Sequence, residues 1–220
     1  MEKDFISYSK KGLKRNFNQD RILVIKGEEH RIFVLFDGVS SNNFSYLFIE
    51  EFKKCFRKKI MSYEESSFNL SHVLFETHEE VLDRGVKGLS TISVLFFKKN
   101  KNVAEYLSIG DSRIYIFTHK FLEKITTDDS LKERSNIITK CLGMSNIKRE
   151  DFKSSQISDA YNFLMCTDGF YDLMERNLKN YFEAFNFKNF KNIDRKLKEL
   201  QRRKNQDDST YILIKNNVSN

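Results

Sequence analysis

Proline is absent from this chain, and glycine occurs only eight times in 220 residues. Average usage is about 5% proline and about 7% glycine, or roughly fifteen glycines at this length. Each remaining glycine is therefore expected where backbone geometry demands one. Three cysteines, a low and odd number, argue against a disulfide framework and for a reducing cytoplasm. The four histidines, His30, His72, His78 and His119, show no metal-ligand spacing, which disfavours a zinc site. No apolar run approaches the ~20 residues of a membrane span; Ile32–Phe36 and Val94–Phe97 are short and strand-like. Repeats, low-complexity stretches and Gly/Ser linkers are missing too, so residues 1–220 are expected to form one domain.

Hydrophobic residues make up 40% of the chain and charged residues 31%, a balance that supports a packed core rather than disorder. The net charge is +7, from 38 Lys and Arg against 31 Asp and Glu. A basic surface can serve nucleic acid. The densest stretch, Lys188–Lys204, however, carries Leu197 and Leu200 at helical spacing and reads as a solvated helix face. No groove-reading or stacking motif is visible, so neither nucleic acid nor membrane is expected as a partner.

Short runs rich in Val, Ile, Phe and Tyr predict strands at Asp4–Ser7, Arg21–Ile25, Arg31–Phe36, Thr91–Phe97, Ala104–Ile109, Arg113–Thr118, Phe152–Ile157, Asn162–Cys166 and Thr210–Ile214. Gly27-Glu28-Glu29 predicts one hairpin, and Asp111-Ser112 joins two more strands. Apolar residues at 3.6-residue spacing predict helices over Phe44–Ile60 and Phe68–Arg84, the second closed by Gly85. Further helices are predicted at Phe170–Met174, Leu178–Phe185 and Ile193–Arg203. Strands and helices do not alternate regularly, which points to an antiparallel α+β architecture.

The informative residues are aspartates at strand ends. Phe33-Val34-Leu35-Phe36 runs into Asp37-Gly38, Tyr106-Leu107-Ser108-Ile109 into Gly110-Asp111, and Phe163-Leu164-Met165-Cys166-Thr167 into Asp168-Gly169. A lone Asp-Gly is a turn. Three at the ends of apolar strands aim carboxylates at one sheet rim, where glycine permits close approach. Converging carboxylates repel unless cations neutralise them, and oxygen-only ligands suit hard ions such as magnesium or manganese.

These elements, in this order, resemble the metal-dependent protein phosphatases of type 2C, in particular the compact bacterial members. The resemblance rests on Arg15 ahead of Asn18-Gln19-Asp20, on Asp37-Gly38, on Gly88-Leu89-Ser90-Thr91 and on Gly110-Asp111-Ser112-Arg113-Ile114-Tyr115. It continues through Asp128-Asp129-Ser130, Ile138-Thr139-Lys140-Cys141-Leu142-Gly143, Thr167-Asp168-Gly169-Phe170-Tyr171-Asp172 and Asp207-Asp208-Ser209-Thr210. It spans Arg15 to Ile214.

The resemblance implies a four-layer α-β-β-α sandwich of two antiparallel sheets flanked by helix pairs. It implies two divalent cations, manganese or magnesium. Asp37 would bridge them, Asp168 and Asp207 would hold one side, and Asp20 with the Gly38 carbonyl the other. Asp111, Asp172 and Asp168 correspond to a third, weaker site. Arg15 would bind the substrate phosphate. Hydrolysis would proceed by direct attack of a dimetal-activated water, so the lack of a nucleophilic cysteine is consistent, and Cys55, Cys141 and Cys166 read as packed core thiols.

Three positions depart from the family pattern. Val39-Ser40-Ser41 stands where His or Met and two glycines are usual, Asp129 replaces a histidine, and Asp208 replaces an asparagine. Asp208 is expected either to help bind metal or to face solvent. The segment Lys120–Ile157, which covers the family's variable flap, is short. The resulting expectation is a cytoplasmic, monomeric Ser/Thr phosphatase acting on phosphoproteins in signalling, opposed by a Ser/Thr kinase. The alternative is a catalytically weak or inactive pseudo-phosphatase that binds protein, favoured by Val39-Ser40-Ser41 and opposed by the retained aspartates.

Overall fold

The computed structural model describes residues 3–42, 44–63, 68–99, 101–131 and 134–216. The chain opens with β1 (Lys3–Lys10), β2 (Arg21–Lys26) and β3 (His30–Phe36), then α1 (Ser45–Ser62) and α2 (Leu70–Asp83). Strands β4 (Ile92–Lys98), β5 (Val103–Ile109), β6 (Arg113–Phe117), β7 (Leu122–Lys124), β8 (Ser130–Leu131), β9 (Arg134–Ile138), β10 (Ser155–Ser158) and β11 (Asn162–Cys166) follow. The chain then runs through α3 (Asp168–Glu175), α4 (Leu178–Phe185) and α5 (Phe190–Gln201) to β12 (Ser209–Asn216).

Ten of these strands form two antiparallel five-stranded sheets, in the orders β1-β12-β11-β6-β7 and β10-β5-β4-β3-β2. The period-two alternation of a strand sends one set of side chains to each face. Phe33 and Leu35 of β3 meet Ile114, Met165 and Ile212 of the other sheet in a central core. Ile32, Val34 and Phe36 point the opposite way, into α1 and α2 around Phe48, Phe52 and Leu74. Continuous apolar runs mark strands covered on both sides, and all five residues of Ile32–Phe36 are fully buried. On the outer face of the other sheet, Leu164, Tyr211 and Leu213 pack against Phe170, Tyr181 and Leu197. Layers of helix, sheet, sheet and helix result.

The second helical layer holds α3, α4 and α5, the three helices expected from the sequence after β11. The chain bends at Arg176-Asn177, so α3 ends after eight residues. Phe152–Ile157 is not one strand: Phe152 closes a short 3-10 turn, Arg149–Asp151, and buries its ring against Phe75 and His78. Strand β10 begins only at Ser155 and lies largely exposed at a sheet edge. The flap region contains β7, β8 and β9, whose short polar stretches carry no strand signature; residues 132 and 133 of it lie outside the described residues.

One connection bears on the site. Asp111-Ser112 joins β5 to β6, as expected, without closing a hairpin. β5 pairs with β4 and β10, and β6 pairs with β11 and β7, so Gly110-Asp111-Ser112 carries the chain from one sheet to the other. Gly110 supplies a φ of 105° for this passage, a conformation closed to side chains. The Gly27 hairpin between β2 and β3 forms as expected. Gly85 sits past the end of α2 at φ 69°, the left-handed C′ conformation. All three cysteines are buried and unpaired.

Candidate active site

The antiparallel registers put the aspartates at one end of the sandwich. Arg21 of β2 pairs with Phe36 of β3, so Asp20 and Asp37 extend adjacent strands at the same rim. Cys166 of β11 lies beside both Arg113 of β6 and Tyr211 of β12. Asp111, Asp168 and Asp207 therefore leave the other sheet at its corresponding end. The two sets are tied together across the interface: the Thr167 hydroxyl donates to Asp20 Oδ2 at 3.1 Å and accepts the Thr210 N–H at 3.0 Å.

Backbone bonds continue the pairing beyond β3. Thr91 N–H donates to the Asp37 carbonyl at 2.9 Å, and the Val39 N–H donates to Leu89 at 2.9 Å. Thr91 Oγ1 accepts from the Asp37 N–H at 3.2 Å, and Ser90 Oγ donates to the Asp37 carbonyl at 3.0 Å. The Val39-Ser40-Ser41 departure costs no backbone strain here, because among the described residues Arg203 is the only non-glycine residue with positive φ. Gly169 has a different task. A Cβ there would stand 2.0 Å from the Asp208 carbonyl, so glycine is required for α3 to start against the Asp207-Asp208 segment.

The electrostatics of this end are unfavourable for bare carboxylates. Burial, then the charges of Asp20, Asp168, Asp111 and Asp207, holds Asp37 well above the usual carboxylate range. Burial also pushes Asp20 up to about 7. It lifts Asp168 to about 8, with the charge of Asp207 the next cause. Asp111 rises to about 6, again chiefly by burial, with Asp128 and Asp172 adding repulsion. Among the described residues none of these four carboxylates forms an ion pair. Asp172 lies four residues after Asp168 on the same face of α3, exposed, 3.7 Å from Arg176.

Asp207 differs. Arg15 grips both of its carboxylate oxygens, one through Nε and one through Nη2, with both side chains about one-third exposed. Two residues expected to serve different partners, a cation and a phosphate, thus hold each other. Asp208 does neither of the things expected of it. It is buried and accepts the N–H groups of Gly12 and Gln19, each at 2.8 Å. It fastens the loop that carries Arg15 and Asp20 to the start of β12. Asp129 Oδ2 accepts the Gly110 N–H at 3.0 Å.

Sequence reasoning missed one further cluster. Arg113 donates to both oxygens of Asp128, to Glu175 at 2.7 Å and to the Tyr115 hydroxyl at 3.3 Å. Its guanidinium lies 3.6 Å from the centre of the Tyr171 ring. The signal was present in Ser112-Arg113-Ile114-Tyr115, but its partners come from distant segments.

A divalent cation fits the chemistry of this donor set, which offers carboxylate and carbonyl oxygen without imidazole or thiolate. No side-chain cation of the described residues stands among the main influences on the raised pKa values of Asp20, Asp37 and Asp168, and Arg113 relieves Asp111 only in part. Among the described residues no group of three or more His, Cys, Asp or Glu side chains stands already arranged around a metal position. Arg15 holds both Asp207 oxygens, so a cation at Asp207 would compete with that pair for the carboxylate.

Comparison with solved structures gives the same architecture repeatedly. PppA of Pseudomonas aeruginosa, described as a key regulatory component of T6SS, is 22% identical with a TM-score of 0.74, over 98% of both chains. The serine/threonine phosphatase Stp1 of Staphylococcus aureus is 16% identical with a TM-score of 0.78, over 98% of this chain and 96% of that one. The catalytic domain of the phosphatase PstP, solved with two manganese ions, is 18% identical with a TM-score of 0.73, over 97% of each. Identities this low show the fold alone. No curated protein sequence matches. The family model for protein phosphatase 2C matches residues 13–202, most of the chain, and the chain belongs to the protein phosphatase 2C family.

Proposed function

We propose that this protein is a manganese- or magnesium-dependent phosphatase that hydrolyses phosphoserine and phosphothreonine in proteins, opposing a Ser/Thr kinase. The observation that carries the reading is the convergence of Asp20, Asp37, Asp111 and Asp168 at one rim without an ion-pair partner. When bound, divalent cations lower the pKa of water and offset phosphoryl charge. Asp37, Asp168, Asp207, Asp20 and the Gly38 carbonyl would hold two of them, and Asp111, Asp172 and Asp168 a third.

The chain's own residues do the rest. Arg15, released from Asp207, presents a planar fork that matches two phosphate oxygens. Cys166 is buried, with its thiol pKa raised by that burial, so no thiolate competes as nucleophile and water attacks phosphorus directly. Val39 has no ionisable proton, so the general acid that a histidine would supply at this position is absent. The relative solved with two manganese ions supports the choice of metal.

The test is hydrolysis of para-nitrophenyl phosphate with manganese, with magnesium and with EDTA, alongside Asp37→Asn and Asp168→Asn. Turnover that needs metal and falls more than about 100-fold in both variants is expected; loss of an outer partner alone typically costs about 10–100-fold. The Arg15–Asp207 pair favours the second reading, a pseudo-phosphatase whose acid cluster is locked by its own arginine. Absence of turnover with every ion, in protein shown to be folded, selects it.

A further inference from the structure

A cleft of about 290 Å³ opens off the acid cluster, lined by Arg15, Asp168 and Asp207 at its inner end. Its charge changes sign along its length. On α3, Asp168 and Asp172 are followed at the same four-residue spacing by Arg176, so one helix face runs acid, acid, base. Lys14 and Lys204 stand in the same cleft. Neither lysine forms an ion pair among the described residues, whereas Arg15 is spent on Asp207 and Arg176 lies 3.7 Å from Asp172.

These lysines are placed by construction rather than by chance. The Leu13 N–H donates to the Asn205 carbonyl and the Lys14 N–H to the Gln206 carbonyl, both at 3.1 Å. The segment before Arg15 is thereby laid along the turn that carries Lys204. That turn holds Arg203 at φ 58°, a strained conformation for a non-glycine residue. Lys204 N–H closes it onto Gln201 at 3.1 Å.

Resting on the phosphatase reading, we propose that this outer cleft is the subsite for a second anionic group of the substrate, so that the preferred substrate is a phosphopeptide with an acidic residue near the phosphorylated one. The spacing follows from the helix. Arg176, the cap residue after α3, stands eight positions beyond Asp168, about 12 Å at 1.5 Å per residue. An extended peptide covers that length in three to four residues at about 3.3 Å each. A peptide with glutamate or aspartate three positions from the phosphoserine would span from the Asp168 end of α3 to Arg176, within the cleft that Lys14 and Lys204 also line.

The test compares phosphoserine peptides with Glu, or with Gln, three residues to either side, using the manganese-loaded protein and initial rates of phosphate release. The Glu peptide is expected to show about fivefold higher kcat/KM. That ratio should fall to near one in Lys14→Gln/Lys204→Gln. It should persist in Arg57→Gln/Lys58→Gln, which removes the same charge from the exposed far end of α1. Equal rates for the two peptides in the unaltered protein, or a preference that survives in the first double variant, would overturn the subsite. If neither peptide nor para-nitrophenyl phosphate is turned over, the phosphatase reading has failed separately; fluorescence anisotropy with the same peptides and variants then decides the subsite by the same ratio.

Discussion

Two groups of carboxylates share one end of the sandwich and are treated oppositely. Asp128 and Glu175 are neutralised by Arg113, which is itself stacked on Tyr171. Asp20, Asp37, Asp111 and Asp168 are more deeply placed, repel one another and have no ion-pair partner among the described residues. The first group spends its charge on holding β6, the Asp128 segment and α3 together. The second stores repulsion that a polypeptide built only for stability would have removed. Such unrelieved repulsion among buried carboxylates is what motivates the proposal of an external cation at this end.

The largest effect expected on stability is at the neutralised group. Arg113→Ala should cost about 2 kcal/mol in urea unfolding, because it leaves Asp128 with Lys124 alone, leaves Glu175 with only the Tyr115 hydroxyl and uncovers Tyr171. A loss under about 1 kcal/mol would mean that the contrast between the groups is shallow. Asp37→Asn should act in the opposite direction, stabilising the metal-free protein by roughly 1–2 kcal/mol at pH 7.5 while abolishing stabilisation by manganese. Destabilisation of the metal-free form would break the comparison at its centre.

The pH dependence follows from the same raised pKa values. Below about 4, the unfolded-chain value, both states keep their protons. Above it the unfolded chain releases protons that the folded chain retains, so stability falls with rising pH. The fall continues until Asp111, Asp20 and Asp168 ionise near 6, 7 and 8. Thermal scans of metal-free protein should show a Tm that drops from pH 5 to pH 8, with manganese flattening the slope. A Tm rising across that window would contradict the assignment.

The smallest effect concerns Asp207, which stands in neither group and is held by Arg15. Arg15→Gln frees Asp207, and the pair's one-third exposure limits the gain to about 1 kcal/mol, or about fivefold tighter manganese binding by titration calorimetry. Unchanged or weaker binding would show that the pair does not compete with metal.

Much of this was legible in the sequence. Doubly buried strands announce themselves as unbroken apolar runs, and the aspartates that end them could be placed at a rim before any coordinates. What was hidden depends on separation along the chain. A two-residue link between strands looks the same whether it turns back within a sheet or crosses to another, and only pairing with β4 and β11 tells them apart. Arg15 and Asp207 lie 192 residues apart, so no local pattern could show that they meet. Asp208 could not be read either, because its partners are backbone N–H groups of Gly12 and Gln19, which every residue but proline possesses.

Pairing of β1 with β12, from Lys3 opposite Asn216 to Lys10 opposite Ser209, has a consequence for how the molecule tolerates damage. An early segment forms the edge of a sheet whose next strand comes from more than 190 residues later. A proteolytic cut ahead of Ser209 would therefore not trim a border. It would withdraw an interior stave, orphan β1 on one side and unroof β11 on the other, and carry Thr210 away from Thr167. Fusions and tags belong outside that stave, and a fragment lacking it should be recovered as an aggregate rather than as a smaller working unit.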